Sequence, residues 1–189
     1  MTKNLLTARD IHGPYVQLLV NLQAENGQEW LDALNKFLKK QNPWEERAGK
    51  HLIDLSADPV IPRGWTVEEH RRPVGKENTY FVWDASKVKL HLDPSQKDGK
   101  TIEGNTLRTN LADQPVLNTN VLDYLIANPH LIPEDWKGKA IFFWGTIYRG
   151  SSGKLYVRFL YWNDGMWNWL NYWLGDDWVA GNSVVMRVK

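Results

Sequence analysis

Apolar residues recur with two different periods along this chain, and the changes of period divide it into three regions. In GQEWLDALNKFLKKQ, residues 27–41, Trp30, Leu34, Phe37, Leu38 and Gln41 recur at helical spacing, while Asp32, Lys36, Lys39 and Lys40 fall on the other face. Asn26-Gly27 marks the start of this helix, basic residues gather in its last turn, and Pro43 stops it. Upstream, Tyr15, Leu18, Leu19 and Leu22 form a shorter stripe that begins after Gly13-Pro14. The pattern predicts an N-terminal helical hairpin within residues 1–45, with an apolar stripe suited to covering a sheet.

Residues 46–115 are cut into short pieces by Pro59, Pro62, Pro73, Pro94 and Asp98-Gly99. HLIDL (51–55), TYFVW (79–83) and WTVEEH (65–70) read as strands, and GNTLRTNL (104–111) as one helix. Residues 84–96 fit two readings: VKLHL alternates as a strand does, whereas Asp84-Ala-Ser-Lys resembles a helix start.

From residue 118 the pattern is regular. NTNVLDYLIAN places Val121, Leu122, Leu125 and Ile126 on one helical face, with Asn118 or Thr119 as N-cap and Pro129 as terminator. AIFFWGTIYR (140–149), KLYVRFLYW (154–162), MWNWLNYWL (166–174) and SVVMRVK (183–189) follow, separated by Gly150-Ser-Ser-Gly153, Asn163-Asp-Gly165 and the Asp176-Asp177 loop. Aromatic and β-branched runs between short glycine turns predict an antiparallel meander of three to four strands over 139–189. The fold class is therefore α+β: a helical hairpin, a mixed middle segment, and a Trp-rich meander packed against helices. Residues 46–189 are expected to form one compact unit with those helices.

Alternation sorts the strand side chains. Phe142, Trp144, Thr146 and Tyr148 should face away from Ile141, Phe143, Gly145 and Ile147. Tyr156, Arg158, Leu160 and Trp162 should oppose Val157, Phe159 and Tyr161, and Trp167, Trp169, Asn171 and Trp173 should share one face. Both faces of this sheet are apolar, so one is core and the other is either covered or used. If used, Trp144, Tyr148, Trp167, Trp169 and Trp173, with Arg149 or Arg158 at the rim, form the candidate binding surface.

Charge narrows the ligand. The chain carries 23 basic and 22 acidic side chains, and residues 151–189 hold only Lys154, Arg158, Arg187 and Lys189 against three acids. Nucleic acid ordinarily requires a basic surplus. Tryptophan, tyrosine and arginine together suit a protein partner, with carbohydrate and single-stranded nucleic acid as alternatives. No apolar run reaches the roughly 20 residues of a membrane span, and no signal-peptide pattern opens the chain. Cysteine is absent, which excludes disulfides and thiolate chemistry and makes the cytoplasm the expected compartment.

Catalysis has no positive motif. Phosphate-binding glycine loops and a nucleophile elbow are lacking, and no cofactor or metal site is expected. His91 with Asp93, and His130 with Glu134 and Asp135, are the close histidine–carboxylate sets, and neither has an established metal spacing. Glu68-Glu69-His70-Arg71-Arg72 mixes acid–base and anion-binding residue types, yet alternation splits the group between two faces, as in a salt-bridged edge strand. A small enzyme, such as a hydrolase, using His130, Glu134 and Asp135 or the His70 cluster is the alternative to a non-catalytic recognition module. Ile61-Pro-Arg-Gly-Trp65 and Ile132-Pro-Glu-Asp-Trp136 repeat one turn pattern, in which proline fixes the turn and tryptophan clamps it against the sheet.

The stretch VLDYLIANPHLIPEDWKGKAIFFWGTIYR, with its Trp/Tyr-rich continuation and the upstream wording GWTVEEH and WDASKVKL, resembles a bacterial family that carries this long signature. The resemblance covers roughly residues 57–178. It implies relatives and brings with it no activity, substrate or catalytic residue. The helical N-terminal segment is similar to regions that precede the module in some of those relatives.

Overall fold

The computed structural model describes residues 8–39, 51–74 and 79–188, and the chain divides into two compact units, Met1–Lys50 and His51–Lys189. In the first, α1 (Ala8–Leu22) packs on α2 (Gly27–Leu38). Helix α1 begins upstream of Gly13-Pro14 and runs through it, so Pro14 lies inside the helix and leaves one carbonyl without its intrahelical donor. Glu29 sits in the first turn of α2, where the helix dipole favours negative charge. The expected stop at Pro43, with Lys40 and Gln41 before it, lies outside the described residues.

The second unit is α+β with a mixed, mostly antiparallel sheet. Its elements are β1 (Leu52–Asp54), β2 (Thr66–His70), β3 (Tyr80–Val82), β4 (Val88–His91), β5 (Ile102–Glu103), α3 (Gly104–Asn110) and α4 (Thr119–Ala127), followed by six more strands. These are β6 (Ala140–Phe142), β7 (Thr146–Arg149), β8 (Leu155–Asn163), β9 (Met166–Trp173), β10 (Asp177–Trp178) and β11 (Asn182–Arg187). The main sheet has the order β2-β7-β8-β6-β11-β4, and β9 pairs with the other side of β8. Among the described strands only β6 and β11 run parallel. Two small antiparallel ladders, β1-β3 and β5-β10, complete the strands. No helix among the described residues is long and apolar enough to cross a membrane.

Residues 84–96 contain both structures that the sequence left open. Asp84 accepts hydrogen bonds from the Ser86 N–H (2.9 Å) and Oγ (2.7 Å) and so caps a single 3-10 turn, Ala85–Lys87; Val88 then enters β4. The repeated Ile-Pro-x-x-Trp pattern is a closed turn in both places. The Trp65 N–H donates to Pro62 O (3.0 Å) and the Trp136 N–H to Pro133 O (3.1 Å). Trp136 is buried against Trp83, whereas Trp65 lies half-buried on Tyr156.

Both faces of the sheet are core. On one, α4 supplies Val121, Leu122 and Leu125 to a cluster with Ile141, Phe143, Leu160 and Val185. On the other, α3 supplies Leu107 to a cluster with Phe142, Trp144, Ile147, Val157 and Trp178. This second set breaks the expected alternation, because Ile147 lies with Phe142 and Trp144 while Tyr148 turns toward α4. The predicted single strand 140–149 is two strands. Residues of β6 pair with β8 at positions summing to 301 (Phe142 with Phe159) and residues of β7 at positions summing to 304 (Tyr148 with Tyr156), so three residues are inserted. An odd insertion reverses the faces. Gly145 permits the crossing: a Cβ there would lie 2.7 Å from Asn118 N and 2.8 Å from Leu117 C.

Candidate recognition surface

The surface is built on the β8-β9 hairpin. Asp164 (φ 49°) and Gly165 (φ 79°) are the two central residues of its turn, the left-handed pair that matches the twist of a two-residue hairpin. Eight uninterrupted pairs follow, from Asn163 with Met166 to Tyr156 with Trp173. Cross-strand partners share a face, so Tyr156, Arg158, Leu160 and Trp162 of β8 stand beside Trp173, Asn171, Trp169 and Trp167 of β9.

Helix α4 covers only part of this face. Leu160 is fully buried beneath it, and Trp167 packs partly buried against the same cluster. Trp169 and Trp173 lie at the margin and remain 38% and 37% exposed. Each carries a cation on its ring: the Arg158 guanidinium 4.0 Å from the Trp169 centroid, and Lys154 Nζ 4.0 Å from that of Trp173. Lys137 Nζ lies 3.9 Å over Trp162, which meets Trp167 edge-on at 5.4 Å. The rings are therefore held in place before anything binds, which lowers the ordering cost of recognition.

Arg158 is the anchor of the row. It is 2% exposed and pairs with Asp123 of α4 at 2.8 Å, while its Nε and Nη1 make no hydrogen bond to the described residues. The π-face of Trp169 takes the place of a further acceptor for this weakly hydrated cation.

The free edge of β9 coincides with the tryptophan row. The Leu174 N–H donates to Leu155 O (2.9 Å), which fixes the even-numbered residues of β9 as those bonded to β8. The backbone N–H and C=O of Trp167, Trp169, Asn171 and Trp173 consequently point away from β8, and no described strand pairs with that edge.

Three of the expected surface residues are interior: Arg158, expected at an exposed rim but held inward by its ion pair with Asp123, and two aromatic residues. Trp144 is 1% exposed within the α3-side cluster, and Tyr148 is fully buried on the α4 side. The inserted residues send them to opposite faces. Tyr148 OH donates to Val60 O (3.0 Å) and lies 2.9 Å from Thr119 Oγ1; burial pushes its hydroxyl pKa up. Arg149 belongs to a different group, pairing with Glu68 at 2.8 Å and donating to Gly153 O. Not every buried indole N–H finds a carbonyl among the described residues. Trp83 donates to Leu131 O, but Trp144 and Trp178 Nε1 make no hydrogen bond to the described residues.

The residues of the enzyme alternative are dispersed. The His130 ring lies edge-on to His51 (6.2 Å), while Glu134 pairs with Lys137 at 2.6 Å. His70 is half-buried, with Nε2 3.2 Å from Ala57 O and Nδ1 2.8 Å from Thr146 Oγ1. A carbonyl only accepts, so the neutral ring carries its proton on Nε2 and receives the Thr146 hydroxyl at Nδ1. Burial first, and the Arg72 charge second, push the His70 pKa down. Glu69 instead bridges Arg71 (2.8 Å) and Arg108 (2.9 Å). Burial alone would raise its pKa, but the two guanidinium groups outweigh it and hold the carboxyl below its ordinary range.

Sequence reasoning missed Tyr156, Trp162, Lys154, Lys137 and Trp65 as members of the surface. The first two share the predicted alternation with Trp173 and Trp167, so that signal was present. Lys154, just before β8, also falls on that face by alternation, whereas Lys137 lies in a turn, where alternation says nothing. Comparison of the chain with family models, with curated proteins and with solved structures finds no match.

Proposed function

We propose that the chain is a non-catalytic recognition module. In this reading an N-terminal helical hairpin precedes an α+β unit whose tryptophan-rich antiparallel strands present an aromatic edge to a protein partner. One observation carries the reading: Trp169 and Trp173 stay more than a third exposed on a strand whose outward backbone groups have no strand partner among the described residues, the Trp173 carbonyl alone accepting a turn bond from the Asp176 N–H. Interface hot spots favour tryptophan and arginine held in pre-formed positions. The charges favour protein over nucleic acid, because Arg158, Arg149 and Lys137 are already paired with Asp123, Glu68 and Glu134. A cytoplasmic setting and kinship with the bacterial family named above accompany this proposal.

The test is selection of random 12-residue displayed peptides on the immobilised full chain, followed by titration against wild type and Trp169→Ala/Trp173→Ala. Loss of two hot-spot rings should weaken the selected peptides at least about tenfold, equivalent to about 1.4 kcal/mol. Equal binding to both proteins contradicts the proposal.

A further inference from the structure

The three strands that end the main sheet differ in how their outer sides are protected. Strand β2 has a register shift at Glu68 and carries Glu68, Glu69 and His70; β4 has four residues, including Lys89 and His91. Bulges, short length and charge are the devices that stop a sheet edge from pairing with another chain. Strand β9 has none of them. Met166–Trp173 is eight residues long, pairs with β8 without a register shift, and contains no charged residue or proline.

We infer that β9 pairs with β9 of a second copy of this chain, in an antiparallel register with Leu170 on the two-fold axis. This deepens the recognition reading of the same edge and rests on it. The outward groups fix the register. Hydrogen-bonded pairs across the new edge must join odd-numbered residues, and a sum of 340 engages all four: Trp167 with Trp173 of the other copy, and Trp169 with Asn171, the Trp173 carbonyl using its second lone pair because the first takes the Asp176 N–H at 3.3 Å. Every other symmetric register leaves at least one of the four unpaired.

The side chains agree with this register. On the α4 side it sets Trp167 beside Trp173 of the other copy and Asn171 beside Trp169. On the opposite side Leu170, 51% exposed, meets its own counterpart and loses its contact with water. A strand without charge brings no like charges together across the axis. The contact is also isologous, so it closes as a dimer. Two eight-residue strands form a small interface, which makes the association reversible and concentration-dependent.

Because the chain contains no cysteine, single-cysteine variants report the register directly. Leu170→Cys sets its two sulfurs across a non-hydrogen-bonded pair, where Cα atoms lie about 4.5 Å apart. Met166→Cys lies on the same side of the strand and is comparably exposed, at 58% against 51%, but its two copies are separated by eight residue steps, about 27 Å. Under mild oxidation of the full chain, Leu170→Cys should form a disulfide-linked dimer at least tenfold faster than Met166→Cys. Leu170→Lys should sediment as a monomer at concentrations where the wild type dimerises. Equal cross-linking of the two cysteine variants, or a wild type that stays monomeric up to about millimolar concentration, overturns the inference. If tryptophan-dependent peptide binding persists in that case, the dimer alone fails; if it is lost too, the recognition reading falls with it.

Discussion

Strands β2 and β9 both lie at margins of the main sheet, and they are built from opposite chemistry. Around β2, Glu68 pairs with Arg149, Glu69 bridges Arg71 and Arg108, and Arg72 just beyond the strand pairs with Asp58. Its register shift bends it away from regular pairing. Strand β9 offers a straight, uncharged ladder, with tryptophans on one side and Leu170 on the other. An edge protected by charge belongs to the fold alone, whereas an edge left regular and aromatic is available to a second chain. Composition does not make this distinction, since β8, LYVRFLYWN, is as aromatic as β9 and yet interior. What differs is the number of neighbours among the described residues: β8 has strands on both sides and β9 on one.

The contrast between interior and edge can be broken with one residue type. Trp144→Ala, at 1% exposure, should destabilise the chain by about 3–5 kcal/mol in urea unfolding, the range for emptying a buried aromatic site. Trp169→Ala, at 38% exposure, should cost about 1–2 kcal/mol, mostly the ring contact with Arg158. Equal losses would mean that the row is core.

The charged edge should respond to its own partners. Glu69→Gln weakens the bridge to Arg71 and Arg108, three side chains between 24% and 32% exposed, and should cost about 1 kcal/mol with no change in self-association. Acid sharpens the same difference. The folded pKa of His70 lies below its unfolded value, so its contribution to stability is complete above about pH 6.5 and is lost as pH falls from there toward the folded value. Glu69 follows the same sign lower on the scale: its contribution is complete above the ordinary glutamate pKa and is lost as pH falls through the depressed one. Amide exchange in β2 should therefore reveal easier opening at pH 5.5 than at pH 7.5, after correction for intrinsic rates. Strand β9 has no titratable side chain except Tyr172, so its ladder should be unaffected over this range. The smallest effect belongs to Leu170→Lys, which places a charge on an already exposed site and should change folding stability by less than about 0.5 kcal/mol.

Much of the second unit was legible because local signals agreed. Val121, Leu122 and Leu125 marked the buried face of α4, and Asn163-Asp-Gly165 marked the hairpin turn that gives Trp167, Trp169 and Trp173 a common face. Trp144 and Tyr148 are interior because both faces of the sheet are covered, and one feature separates them. A three-residue insertion around Gly145 reverses every assignment after it, and it is dictated by the backbone of Leu117-Asn118 passing 28 residues away in sequence. Asn118 occupies the N-cap position of α4 as the spacing predicts, but its side chain makes no cap hydrogen bond and donates instead to Leu55 O and Arg71 O across the structure. Partners of that kind are fixed by tertiary approach, which spacing does not encode. Which sheet strand has only one neighbour was hidden for the same reason, and the candidate surface depends on it.

The central claim is that the outer edge of β9 is open, and amide hydrogen exchange resolved along this one strand tests it most directly. In dilute protein, the amides of Asn168, Leu170 and Tyr172, bonded to β8, should exchange slowly, while those of Trp167, Trp169 and Asn171 should exchange at least about a hundredfold faster. The second set should gain protection as concentration rises. Uniform protection along β9 at low concentration, with no alternation between odd and even residues, would contradict the account.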